Sequence, residues 1–125
     1  HYKSNCSAVE MELIAFLGED KGTWGQITGL LNRGDWDKVV LVRNKAGKGF
    51  NGRGEAIDVD SNKMLMELKE EIARKLKGKI SGLEVALSIA SGTGKEHMAL
   101  ISALLSLPVG VRLVAFTKKG VEFVN

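Results

Sequence analysis

The chain has 125 residues, 44% of them hydrophobic and 26% charged, with a formal net charge of +3 and a sequence pI near 9.1. That length suits one domain, and the apolar share excludes wholesale disorder. The basic excess is compatible with an anionic ligand but falls short of a dedicated binder of duplex nucleic acid, and the single cysteine, Cys6, excludes an internal disulfide or a cysteine zinc cage.

Residues 1–10, HYKSNCSAVE, show no period, whereas Met11 opens MELIAFLG as a native start would. They are expected to be a tag or disordered N-terminus, partly vector-derived, with a single domain in residues 11–125. There is no secretory pattern and no apolar run of membrane-spanning length. The longest greasy stretch, Met98 to Val111, is interrupted by Ser102, Ser106, Pro108 and Gly110. No membrane association is expected, and a reducing, cytoplasmic setting is the natural expectation.

Leu13 to Leu17, ended by Gly18, reads as a buried strand. The loop GEDKGTWGQ follows, with Glu19, Asp20 and Lys21 at the strand's carboxyl end and Thr23 placed to cap a helix. Trp24, Ile27, Leu30 and Leu31 recur at helical spacing, and Asn32-Arg33-Gly34 stops that helix. Val39 to Val42 is a second buried strand. The segment from Arg43 to Glu55 mixes Arg43, Lys45, Lys48 and Arg53 with four glycines and is expected to be a mobile, solvated loop, the alternative being a loop that closes over a phosphate-rich ligand or touches RNA. Its lone Phe50 either stacks on a base or tucks against the core.

Residues 56–60, AIDVD, form a third short strand, with Asp58 and Asp60 projecting to one side as a metal pair or, on the plainer reading, as a surface acid and a cap. Asp60, Ser61 and Asn62 are expected to cap a helix running from Lys63 to about Lys77, with Leu65, Leu68, Ile72 and Leu76 on its buried face. LEVALSIA, residues 83–90, is another strand. A helix follows from about Lys95 to Leu107, stopped by Pro108 and Gly110. VRLVAF is the next strand, Lys118-Lys119-Gly120 a turn, and VEFV a hairpin partner. Alternating strands and helices predict an α/β fold: three-layer and Rossmann-like, with a mostly parallel sheet and a C-terminal antiparallel hairpin edge.

The turn Ser91-Gly92-Thr93-Gly94-Lys95 joins the fourth strand to its helix. In open α/β sheets, ligands gather at the carboxyl ends of strands, where a helix start offers free backbone N–H groups and positive dipole. The glycines permit close approach, the hydroxyls donate and Lys95 adds a cation. It is not a Walker A loop, since Ile89 stands where a glycine is needed and Glu96 where Ser or Thr is needed. Nor is it GxGxxG, since position 97 is His. The alternative is a capping box, Thr93-Gly94-Lys95-Glu96, with no ligand at all.

At these residues the chain resembles the CRISPR-associated Rossmann-fold (CARF) family, whose recurrent feature is a hydroxyl-rich, double-glycine turn with a following basic residue, leading into an apolar helix. The resemblance runs over about residues 11–125. Two departures stand out: Thr93 lies between the glycines, and no acid precedes the hydroxyl. The resemblance implies a homodimeric sensor of cyclic oligoadenylate second messengers in antiviral defence. The implied ligand-binding residues are Gly22, Thr23, Ser91, Gly92, Thr93, Gly94, Lys95 and His97. If the ring is cut slowly, Lys95 and the backbone N–H groups around Gly94 stabilise the developing charge and Ser91, Thr93 or His97 orients the attacking 2′-hydroxyl, with Lys95 and Thr93 the first candidates and with no metal and no cofactor. The helix HMALISALLSL is apolar on nearly every face, which fits a homodimer interface or a crowded core equally. A structural or interaction subunit without a small-molecule ligand is the competing reading.

Overall fold

A computed structural model describes residues 11–125; the expected N-terminal tag lies outside the described residues. The elements in chain order are β1 (Glu12–Leu17), α1 (Trp24–Arg33), β2 (Lys38–Arg43), β3 (Glu55–Asp58), α2 (Leu65–Leu76), β4 (Glu84–Ser88), α3 (Gly94–Leu105), β5 (Gly110–Thr117) and β6 (Gly120–Phe123). They form one six-stranded sheet in the order β3-β2-β1-β4-β5-β6. The first five strands are mutually parallel, and β6 runs antiparallel to β5 at the edge. This is the expected Rossmann-like α/β architecture with its hairpin edge.

β1 is central and covered on both faces, so all six of its residues are buried, and after Glu12 it is apolar throughout. Its side chains alternate between two cores. Ile14 and Phe16 join Val40, Val42, Leu87 and the inner faces of α2 and α3. Leu13, Ala15 and Leu17 join Ile27, Leu30 and Leu31 of α1 on the opposite side. β2 lies beside β1 in the register Leu13↔Val39, and β4 on the other side with Ile14↔Leu87. Chain order therefore reverses between β1 and β4. In open α/β sheets a ligand crevice lies beyond the carboxyl ends at such a reversal; here the Gly18 and Gly92 backbones pack together at that point.

Several local expectations are corrected. The segment after β2 is folded against the core and is not an open, fully solvated loop. It forms a 3-10 turn at Ala46–Gly49, Gly47 and Phe50 are buried, and the Arg53 guanidinium donates to the Leu31 carbonyl at 3.1 Å. Phe50 settles edge-on against Trp24, with ring centroids 5.7 Å apart. The glycines that read as flexibility permit close packing instead: a Cβ on Gly47 would lie 2.1 Å from the Leu17 carbonyl oxygen. Asp60, Ser61 and Asn62 do not cap α2. The helix begins at Leu65 with Met64 as its N-cap, and the Asp60 carboxylate instead accepts from the Asn62 N–H at 3.0 Å. Asp58 is paired with Arg43 at 2.8 Å, and among the described residues no group of three or more His, Cys, Asp or Glu side chains is placed to hold a metal ion. Among the described residues, no helix is long and apolar enough to cross a membrane.

Candidate functional site

A cleft of about 1120 Å3 lies over the carboxyl ends of β1 to β4. Four loops wall it. Glu19 and Asp20 come from the loop after β1, and Asn44, Lys45, Ala46 and Lys48 from that after β2. Val59, Asp60, Ser61 and Asn62 follow β3, and Gly92, Thr93, Lys95 and Glu96 follow β4.

The turn after β4 is shaped by Gly92, whose φ of +109° belongs to glycine and whose added Cβ would lie 2.7 Å from the Phe16 ring. The capping box read from the sequence is formed. The Thr93 hydroxyl accepts from the Glu96 N–H at 3.2 Å, and the Glu96 carboxylate accepts from the Thr93 N–H at 2.8 Å. The amides of Gly94 and Lys95, at the first turn of α3, have no intrahelical acceptor. A Cβ on Gly94 would meet nothing within 4 Å, so the backbone there is open to approach.

The residues singled out from the sequence divide into two groups. Gly92, Thr93 and Lys95 wall the cleft, and Gly94 is exposed beside them. Ser91 is fully buried, and its hydroxyl oxygen accepts from the Gly18 N–H at 2.9 Å, tying the ends of β1 and β4 together. His97 turns back under the turn: its Nε2 lies 2.7 Å from the Ser91 carbonyl oxygen and its ring is edge-on to Phe16. Gly22 and Thr23 do not line the cleft; the Gly22 N–H donates to the Asp20 carboxylate and the Thr23 hydroxyl to the Asp20 carbonyl. The Lys95 ammonium reaches across the cleft to the Ser61 carbonyl at 2.9 Å.

Asn44, Lys45, Lys48, Ser61 and Glu96 enter the cleft wall as well. The sequence offers the lysines as part of a mobile loop or of one closing over a phosphate-rich ligand, and Glu96 only as a cap. Glu96 is 2% exposed. One carboxylate oxygen closes the capping box, and the other accepts from the Asn44 side-chain amide at 2.8 Å and from the Ser61 hydroxyl. Burial pushes its pKa up, but the hydrogen bonds from Ser61, the Thr93 amide and Asn44 outweigh that and hold it below the usual carboxylate range. The cleft wall thus mixes signs. The Glu96 carboxylate lies buried in it, and the ammonium groups of Lys45, Lys48 and Lys95 stand exposed alongside the exposed carboxylates of Glu19, Asp20 and Asp60.

No protein-family model and no curated protein matches the chain.

Proposed function

We propose that this domain is a nucleotide-binding module whose ligand is a phosphodiester-linked ribonucleotide, with cyclic oligoadenylate, the ligand implied by the family resemblance, as the first candidate. The observation that carries the reading is the coincidence of three features in one place: the cleft over the carboxyl ends of a sheet whose strand order reverses, the open first turn of α3, and three exposed ammonium groups on the surrounding wall. A phosphate oxygen at the Gly94 and Lys95 amides would meet the positive end of a twelve-residue helix. The same wall holds the carboxylates of Glu19, Asp20, Asp60 and Glu96. That balance favours a diester, with one charge per phosphorus, over a free polyphosphate, whose dense charge those carboxylates repel.

Pairing into a homodimer belongs to the same reading. α3 buries Ala99, Leu100, Ala103 and Leu104 against the core yet leaves Met98 57% and Leu105 70% exposed, an apolar surplus that a second copy would cover. Ring cleavage would run by attack of a 2′-hydroxyl, oriented by Thr93, on the adjacent phosphorus, breaking the P–O5′ bond in line and leaving a 2′,3′-cyclic phosphate, with the hydroxyl proton passing through water to the 5′-oxygen and Lys95 stabilising the developing charge.

The competing reading, an interaction subunit with no small-molecule ligand, draws on one observation: Ser91, His97, Glu96 and Lys95 all spend hydrogen bonds inside the protein. Titration calorimetry with cyclic tetra- and hexaadenylate separates the two. Binding that weakens about tenfold or more in Lys95→Ala supports the nucleotide site, by the loss of one charge-assisted contact. No binding to the native protein, or equal affinity in the variant, rejects it. Incubation of the ligand with protein in EDTA, followed by a search for linear products, decides whether the site also cuts.

A further inference from the structure

A glutamate at the third position of a helix normally caps it with one oxygen and leaves the other in water. Glu96 does more. Its second oxygen receives the Asn44 amide from 52 residues away in sequence and the Ser61 hydroxyl from 35 residues away. One carboxylate therefore contacts the loops after β2, β3 and β4, three of the four that wall the cleft. Each contact continues outward. The Asn44 side chain is also the acceptor for the Gly47 N–H at 2.9 Å, which fixes the 3-10 turn carrying Lys45 and Lys48. Ser61 is held a second time through its carbonyl by Lys95. Its neighbour Asp60 accepts from the Lys63 N–H through its carbonyl, at 3.2 Å.

We infer that Glu96 is the positioning residue of the cleft: through Asn44, Ser61 and the Thr93 amide it holds three separate loops in the arrangement that makes them one wall. A buried carboxylate can persist only with such partners, and donors of this kind lose their place when it is removed. Without it, the loop after β2 loses its tie to α3, and the Asn44 side chain, no longer oriented at its amide end, holds the Gly47 N–H less firmly. The loop after β3 loses its tie to α3 at the Ser61 hydroxyl and keeps the exposed Lys95 contact at the Ser61 carbonyl and the Glu71 contact at the Asp60 N–H. The bearing on ligand affinity rests on the nucleotide reading above, whereas the bearing on the loops does not.

Amide hydrogen exchange on the protein without nucleotide tests it at backbone groups that Glu96 does not touch. In Glu96→Ala, the amides of Gly47 and Lys63 are expected to exchange about tenfold faster or more, the ratio that loss of one charge-assisted hydrogen bond produces. The amides of Ser81 and Gly110, bonded at the opposite end of the sheet to Glu12 and to the Leu83 carbonyl, are expected to keep their rates. Glu96→Gln keeps the volume but turns an amide group toward the Asn44 and Ser61 donors. It serves where the alanine variant does not fold, and the same two amides are expected to accelerate in it. Unchanged rates at Gly47 and Lys63 in a folded variant would overturn the inference. So would equal acceleration at Ser81 and Gly110, the mark of general loosening. A native protein that binds no nucleotide would sink the proposed function and leave these rates where they are.

Discussion

At the amino ends of the strands, Glu12 of β1 is 2% exposed and accepts from the Ser81 N–H, the Ser81 hydroxyl and the Gly82 N–H, drawing the loop between α2 and β4 over the sheet. Beside it the Lys38 ammonium donates to the Lys79 carbonyl, and Lys79 pairs with Glu55. At the carboxyl ends Glu96 makes as many hydrogen bonds, but its donors come from three loops instead of one. Glu12 pulls one loop shut. Glu96 holds three apart around a space, and Gly94 leaves that space accessible. A buried, well-bonded carboxylate is thus not in itself the mark of a site; the number of loops it joins, and the room between them, distinguish the two ends.

Four changes sharpen that contrast. The largest effect is expected at Gly47, buried against Leu17 in the loop after β2: Gly47→Ala forces a methyl group onto a backbone oxygen and should cost about 2–3 kcal/mol by urea unfolding. Next, Glu12→Ala strands three donors at the amino end and should cost about 1–3 kcal/mol. Nucleotide affinity measured by calorimetry should stay unchanged, since none of those contacts reaches the cleft.

The third change is acid. Glu12, Glu71 and Glu96 are each pushed up by burial, and each is carried below the ordinary carboxylate range by stronger opposing hydrogen bonds and, for Glu12 and Glu71, nearby lysines. The folded chain therefore binds fewer protons than the unfolded one. The stability this supplies is complete above the ordinary glutamate pKa and drains away as pH falls through the depressed folded values. Urea midpoints should hold steady near neutrality and drop below about pH 5. Glu12→Gln and Glu96→Gln should each flatten that drop. The smallest effect is expected at Gly94. With open space around it, Gly94→Ala should leave stability unchanged or raise it by about 0.5 kcal/mol, while its methyl group obstructs any phosphate seated on the first turn of α3 and weakens nucleotide binding.

The sheet, its parallel order and the placement of the turn after β4 were legible because they depend on local signals: unbroken apolar runs such as LIAFL and VVLV, helical spacing from Trp24 to Leu31, and glycine or proline at the element ends. The Thr93–Glu96 box was legible for the same reason. The wall of the cleft was not. Composition makes the segment from Arg43 to Glu55 look mobile, yet Gly47 is there to let the chain press against Leu17, and that contact exists only once β1 and β2 are paired. Likewise, nothing near Glu96 in sequence tells where its second oxygen points. Asn44 and Ser61 become its neighbours only through the strand order.

The most direct test of the nucleotide reading is a titration of the isotope-labelled protein with cyclic tetraadenylate, followed by backbone amide chemical shifts. Saturable shifts concentrated at Gly92 to Lys95 and Asn44 to Lys48, with Ser81, Gly82 and Gly110 undisturbed, are the predicted result. No shift at any ligand concentration, or shifts centred on the amino ends of the strands, would contradict it.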